Sequence, residues 1–194
     1  MQNNSISLKL LSKKTATLIS LIAIPRGKSL HKMDTALMSK AHNKITFHFI
    51  TPSKTSKPGK CAEEITLHRY TEDVNLCPVN TNSYLQRTQS WRENRTETCL
   101  FLSFNEPHFP VEKCSIARWV KDIMKMANIN TDHFQAHSLR SASSSKANRQ
   151  GVSLQDILKR GNWSQESTWQ KFYHNPEKNL SLEYQNHVLK PNNL

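Results

Sequence analysis

The chain has 194 residues, 36% of them hydrophobic, four glycines and a formal net charge of +12. That length suits one substantial domain, or one domain plus tails, and the charge excess points to a polyanion, nucleic-acid phosphates being the commonest. The few glycines form no nucleotide-binding loop, and the four cysteines, Cys61, Cys77, Cys99 and Cys114, lie far apart with no C-x-x-C pair, which argues against structural zinc and for reduced intracellular thiols.

Residues 6–24 carry Ile6, Leu8, Leu11, Leu18, Ile19, Leu21 and Ile22, a thick apolar face that predicts a buried helix ended by Pro25. The basic flank of Lys9, Lys13 and Lys14 before this apolar run imitates a signal peptide. The run is too short to span a membrane and lacks a small-residue cleavage site, so it reads as a core helix. After Arg26-Gly27-Lys28-Ser29, a second short helix is expected near 30–34. Residues 44–50 and 64–70 alternate as half-buried strands do. Between them, the prolines, glycine and lysines of 51–60 predict a basic hairpin loop.

Residues 80–93 read as helical around Tyr84, Leu85 and Trp91, and 100–104 as a short apolar strand. The strongest amphipathic helix is 112–127, with Ile116, Trp119, Val120, Ile123, Met124 and Ala127 on one side. The segment 138–149 is rich in small residues and suited to close helix packing. Ser153-Leu154-Gln155-Asp156 resembles a capping box and opens a helix that Gly161 should close. Ser164 is expected to cap a last helix carrying Trp169, Phe172 and Tyr173. The polar tail from Pro176 offers Leu180, Leu182, Tyr184 and Val188 for docking. The expected fold class is α+β, mainly helical, with a small antiparallel sheet.

Fewer than forty residues hold His137, Arg140, Trp163 and Tyr173. A phosphodiester concentrates negative charge on its non-bridging oxygens in the transition state. Breaking it calls for fixed cations, a nucleophile and a proton donor for the leaving oxygen. Arginine suits the clamp because its planar fork binds two oxygens and stays charged. Tyrosine suits the nucleophile because its phosphate ester conserves the bond energy, so the reaction can be reversed. No His, Asp and Glu cluster has metal-ligand spacing; His42, His48, His68 and His108 are scattered. Neither metal nor cofactor is expected.

The pattern His137-x-x-Arg140, then Gly-x-Trp163, then Tyr173 resembles the catalytic domain of the tyrosine recombinases, the phage integrase family. The surrounding text, His-Ser-Leu-Arg-Ser-Ala-Ser-Ser-Ser-Lys-Ala and Thr-Trp-Gln-Lys-Phe-Tyr, is most similar to recombinases of DIRS- and Crypton-type mobile elements. The resemblance implies that Tyr173 is the nucleophile, forming a 3′-phosphotyrosyl link and freeing a 5′-hydroxyl. Arg140 would be the second clamp arginine, His137 a proton-handling residue and Trp163 the occupant of the family's His-or-Trp position. Arg26 would be the first clamp arginine and Lys54 the general acid, in competition with Lys57 and Lys60 of the same loop. Lys57, Lys60 and Lys146 would contact DNA phosphates.

Three departures stand out. Trp163 and Tyr173 are ten residues apart, one more than usual in the family, and Phe172 holds the usual place. Ser29 stands where an acidic residue commonly follows the first arginine. Residues 1–176 match a catalytic domain, with the N-terminal DNA-clamping domain expected to be absent and 177–194 expected to dock on a neighbouring subunit. The implied partners are double-stranded DNA and further copies of the chain, as a tetramer on DNA, with no membrane and a nuclear location. The rival readings are a non-catalytic DNA-binding remnant of a mobile element, a type IB topoisomerase-like enzyme and a basic RNA-binding module.

Overall fold

The computed structural model describes residues 5–25, 27–50, 64–93 and 96–175; Arg26, the loop lysines Lys54, Lys57 and Lys60, Cys61 and residues 176–194 lie outside them. The helices are α1 Leu8–Ala23, α2 Gly27–Leu30, α3 Thr81–Arg87, α4 Lys113–Met126, α5 Ser138–Arg149, α6 Leu154–Arg160 and α7 Glu166–Phe172. The strands are β1 Met38–Ala41, β2 Lys44–His48 and β3 Glu64–His68, in one antiparallel sheet of order β1-β2-β3. The expected α+β, mainly helical class is what the chain forms. Among the described residues no helix is long and apolar enough to cross a membrane.

Ser7 caps α1, its hydroxyl accepting the Leu10 N–H at 3.2 Å. The helix ends where proline demands, with Ile24 left-handed at φ 40° before Pro25. Leu11, Ala16 and Ile19 of α1 pack with Ile45, Phe47, Ile65 and Leu67 of the sheet and Ile116 and Trp119 of α4. A second, smaller core gathers Ile24, Ile157, Trp163 and Trp169 under α5, α6 and α7. Alternation placed β2 and β3 correctly because Ile45, Phe47, Ile65 and Leu67 all point inward.

Some expectations require correction. The second helix is α2, immediately after residue 26, rather than 30–34; Met33 is instead buried and Asp34 bridges to Cys99. β1 went unseen because it is an exposed edge with no apolar alternation, paired to β2 through the His42-Asn43 turn. Residues 100–104 form no strand. Leu100, Phe101 and Leu102 are buried in succession, and their backbone is satisfied piecemeal. Leu100 N–H donates to Met33 O at 2.7 Å, Leu102 N–H to the Tyr84 hydroxyl at 3.3 Å, and Arg92 to the Cys99 and Leu100 carbonyls at 2.7 and 2.6 Å. Ala127 lies just past the end of α4 and is exposed rather than on the apolar side.

Burial pushes the Tyr84 phenol pKa up, with the Leu102 N–H opposing. Tyr84→Phe should leave that buried N–H unpaired. The expected cost is about 1–2 kcal/mol, read as a lower urea midpoint with unchanged slope.

Three helices end in Schellman motifs. The left-handed residues are Asn128 after α4, Gly151 after α5 and Asn162 after α6. In each, the residue that follows returns its N–H to the third-last helical carbonyl: Ile129 to Met124 at 2.9 Å, Val152 to Ala147 at 3.0 Å and Trp163 to Leu158 at 2.9 Å. The expected closure of α6 at Gly161 therefore shifts by one residue. Gly161 is right-handed, and Asn162 makes the turn. Ser153 caps α6 as expected, accepting the Asp156 N–H at 3.1 Å. Ser164 does not cap α7; Gln165 occupies that place, without a side-chain bond.

Candidate active site

The Schellman turn after α6 sets the site, because it throws Trp163 back over Gly161. The indole is buried, and a Cβ on Gly161 would lie 1.9 Å from its ring. Only glycine permits that approach. The Arg140 guanidinium stacks over the indole, 4.0 Å from the ring centroid. The Tyr173 ring packs against the same indole at 4.8 Å, tilted by 57°, and lies 5.3 Å from the guanidinium. Arg140, Trp163 and Tyr173 thus form one contiguous group.

Arg140 is only 8% exposed, a burial that a guanidinium tolerates only with partners. Its Nη1 donates to Ile24 O and its Nη2 to Gly161 O. These two carbonyl bonds fix the plane of the guanidinium. Ile24 is a β-branched residue in the left-handed region, which costs energy, and Arg140 holds its carbonyl there.

The end of α1 receives two further donors from the same arm. Ser143 Oγ donates to Leu21 O at 2.7 Å, and Arg160 Nε to Ile22 O at 3.1 Å. The last turn of α1 contains no basic residue, so its orphan carbonyls are capped from α5 and α6. Arg160 Nη2 also donates to Thr66 O of β3 at 3.0 Å, tying the sheet to the same corner.

His137 occupies the N-cap position of α5 and is exposed; its carbonyl accepts the Arg140 N–H at 3.0 Å. The i, i+3 spacing puts it one turn before Arg140 on the same face. Lys146 stands exposed further along α5. Arg26, Lys54, Lys57 and Lys60 fall outside the described residues, so the structure brings together three of the six expected catalytic residues, with a fourth one turn away.

Phe172, at the usual family spacing, is 66% exposed, while Tyr173 is the residue that meets the arginine and the indole. Trp169 O accepts both the Tyr173 N–H at 2.8 Å and the His174 N–H at 2.9 Å, the second closing a wider turn. Among the described residues no group of three or more His, Cys, Asp or Glu side chains is placed to hold a metal.

Sequence reasoning missed Arg160, the close approach at Gly161 and the serines of α5. The signal for the serines was present: five serines in a twelve-residue helix are anomalous, since serine disfavours helix interiors unless its hydroxyl is used.

A family model described as the phage integrase family matches residues 11–179. No curated relative matches this chain. Among solved structures, the chain is similar to the XerA recombinase, with TM-score 0.66 and 17% identity over 97% of this chain and 60% of that one. It is also similar to the XerH site-specific recombinase bound to difH substrate in a pre-cleavage complex, with TM-score 0.63 and 14% identity over 96% of this chain and 50% of that one. A post-cleavage complex of XerH with palindromic difH substrate gives TM-score 0.66 and 13% identity over 93% of this chain and 47% of that one. The chain therefore spans between 47% and 60% of the length of these solved relatives. With a family match that covers most of its length and a fold shared with these recombinases, the chain belongs to the phage integrase family, the tyrosine recombinases.

Proposed function

We propose that this chain cuts and rejoins DNA strands through a covalent bond to Tyr173, in the site-specific recombination or integration of a mobile element. The observation that carries the reading is the stacking of Arg140 on Trp163 with the Tyr173 ring against both. A bound phosphate beside this group would face a fixed cation and a phenol. The XerH site-specific recombinase is bound to difH substrate in pre- and post-cleavage complexes, which supports double-stranded DNA as the partner of this chain. The net charge of +12 supports it independently.

In the proposed reaction, the Tyr173 oxygen attacks phosphorus and the bond from phosphorus to the 5′ oxygen breaks. One ester replaces another: a 3′-phosphotyrosyl link forms, and the 5′ end leaves as a hydroxyl. The phenolic proton passes towards His137, and Lys54 supplies the proton to the leaving 5′ oxygen. Arg26 and Arg140 hold the non-bridging oxygens, where charge builds up. Trp163 donates its indole N–H to the phosphate while packing the site. Lys57, Lys60 and Lys146 hold neighbouring phosphates. Attack by a 5′-hydroxyl on the phosphotyrosine reverses the step and reseals the strand. Residues 1–176 constitute the catalytic domain in this reading, the remaining tail docks on a neighbouring subunit, and the assembly is a tetramer on two duplexes in the nucleus.

A nicked suicide substrate tests the proposal. Wild-type protein should form a DNA adduct that survives denaturing electrophoresis, and Tyr173→Phe should form none while still binding DNA. An adduct persisting in that variant would sink the Tyr173 assignment. DNA binding without any wild-type adduct would identify a non-catalytic remnant.

A further inference from the structure

The polar side chains of α5 are used differently from those of α1. In α1, Ser12, Thr17 and Ser20 donate back to the carbonyl four residues earlier in their own helix, at 2.8, 2.9 and 2.8 Å. That is the default for a hydroxyl inside a helix. In α5, Ser141, Ser143 and Ser145 donate outward to other segments. Two of these bonds converge on one atom. The carbonyl oxygen of Tyr173 accepts Ser141 Oγ at 2.5 Å and Ser145 Oγ at 3.0 Å.

The same segment is held at two further points. Ser145 Oγ accepts the Asn175 N–H at 2.8 Å, and Ser144 Oγ accepts the Trp169 indole N–H at 3.0 Å. Ser144 and Ser145 are both 1% exposed, so water does not compete for these bonds. The Tyr173 N–H is meanwhile bound to Trp169 O. Both backbone polar groups of Tyr173 are thus fixed, while among the described residues its phenolic oxygen makes no hydrogen bond.

We propose that Ser141 and Ser145 are positioning residues for Tyr173, a pair of hydroxyls that clamps its carbonyl and so aims the phenol at the phosphate. The proposal rests on the reading of Tyr173 as the nucleophile. The need is geometric. Tyr173 lies past the last residue of a seven-residue helix, where backbone is least constrained, and its phenolic oxygen sits at the end of a long side chain. A small rotation of the backbone swings that oxygen through a larger arc. Misplacement by about 1 Å costs on the order of 100-fold in rate.

The test compares wild type with the S141A/S145A double variant. Alanine is the best helix former, so α5 should persist and the protein should fold. Hydrogen–deuterium exchange of the peptide 170–175 should become faster in the variant, with exchange in α1 and α4 unchanged. Single-turnover adduct formation at saturating DNA should slow by about 10-fold or more, with unchanged DNA affinity. Ser141→Thr, which keeps a hydroxyl, should retain most of the wild-type rate. A variant that reacts at the wild-type rate, or slows only in proportion to weakened DNA binding, overturns the positioning role. Should wild type itself form no adduct, the proposed function fails separately, and unchanged exchange in the variant then overturns the clamp.

Discussion

Arg140→Ala should destabilise the protein by about 3–5 kcal/mol and abolish adduct formation. The substitution removes a guanidinium that is 8% exposed, and with it the donors to Ile24 O and Gly161 O. Both carbonyls would be left in a site that excludes water, and Trp163 would lose the cation stacked on its face. The strained Ile24 would lose what holds it, and it precedes Arg26 by only two residues. Denaturant unfolding reads the first effect. Arg140→Lys separates it from the chemistry: lysine keeps the charge but not the planar fork, so it cannot serve two carbonyls and a phosphate together. That variant should fold and bind DNA, yet cleave about 100- to 1000-fold more slowly. An Arg140→Ala protein as stable as wild type would show that the carbonyl bonds carry little weight.

Gly161→Ala is the second large expected effect. The new methyl carbon would fall 1.9 Å from one Trp163 ring atom and 2.2 Å from the next, far inside contact distance. The indole cannot simply swing away, because Arg140 and Tyr173 pack against it. Gly161 has φ −84°, open to any residue, so the penalty is one of packing rather than backbone conformation. Overpacking of this kind costs about 1–3 kcal/mol. A drop in melting temperature should accompany a shift in tryptophan fluorescence and a slower adduct rate, since the displaced ring is shared by all three residues. Unchanged fluorescence and rate would show that the turn relaxes around the methyl group.

The sequence was most legible where one face of an element is buried. The apolar spacing of α1 and α4 and the alternation in β2 and β3 report burial directly, so these elements appear close to their expected limits. β1 carries no such signal because it is an exposed edge that exists through pairing with β2. Residues 100–104 misled for the opposite reason. Three successive buried residues look like a strand, but they make only an isolated bridge, Leu102 to Pro110, and otherwise bond to Tyr84, Arg92 and Met33.

The same contrast holds at the site. Arg140, Trp163 and Tyr173 lie on one short stretch with recognisable spacing, and their grouping could be anticipated. The bonds from Ser143, Arg140 and Arg160 to the carbonyls of α1 could not, because they end on main-chain atoms. A carbonyl carries no residue identity, so nothing in the letters Leu21, Ile22 or Ile24 marks them as acceptors.

Those capping bonds also order events in time. They join residues separated by 122, 116 and 138 positions. Contacts of such long range form late, since the intervening chain must be brought together first. During synthesis, the first helix leaves the ribosome long before the arm that completes its end, and Tyr173 follows only after that arm. A chain interrupted anywhere before Gly161 lacks both the finished helix end and the phenol. Tyr173 is thus added to a scaffold that is already in place, so under the proposed reaction a chain broken before it could not attack a DNA strand.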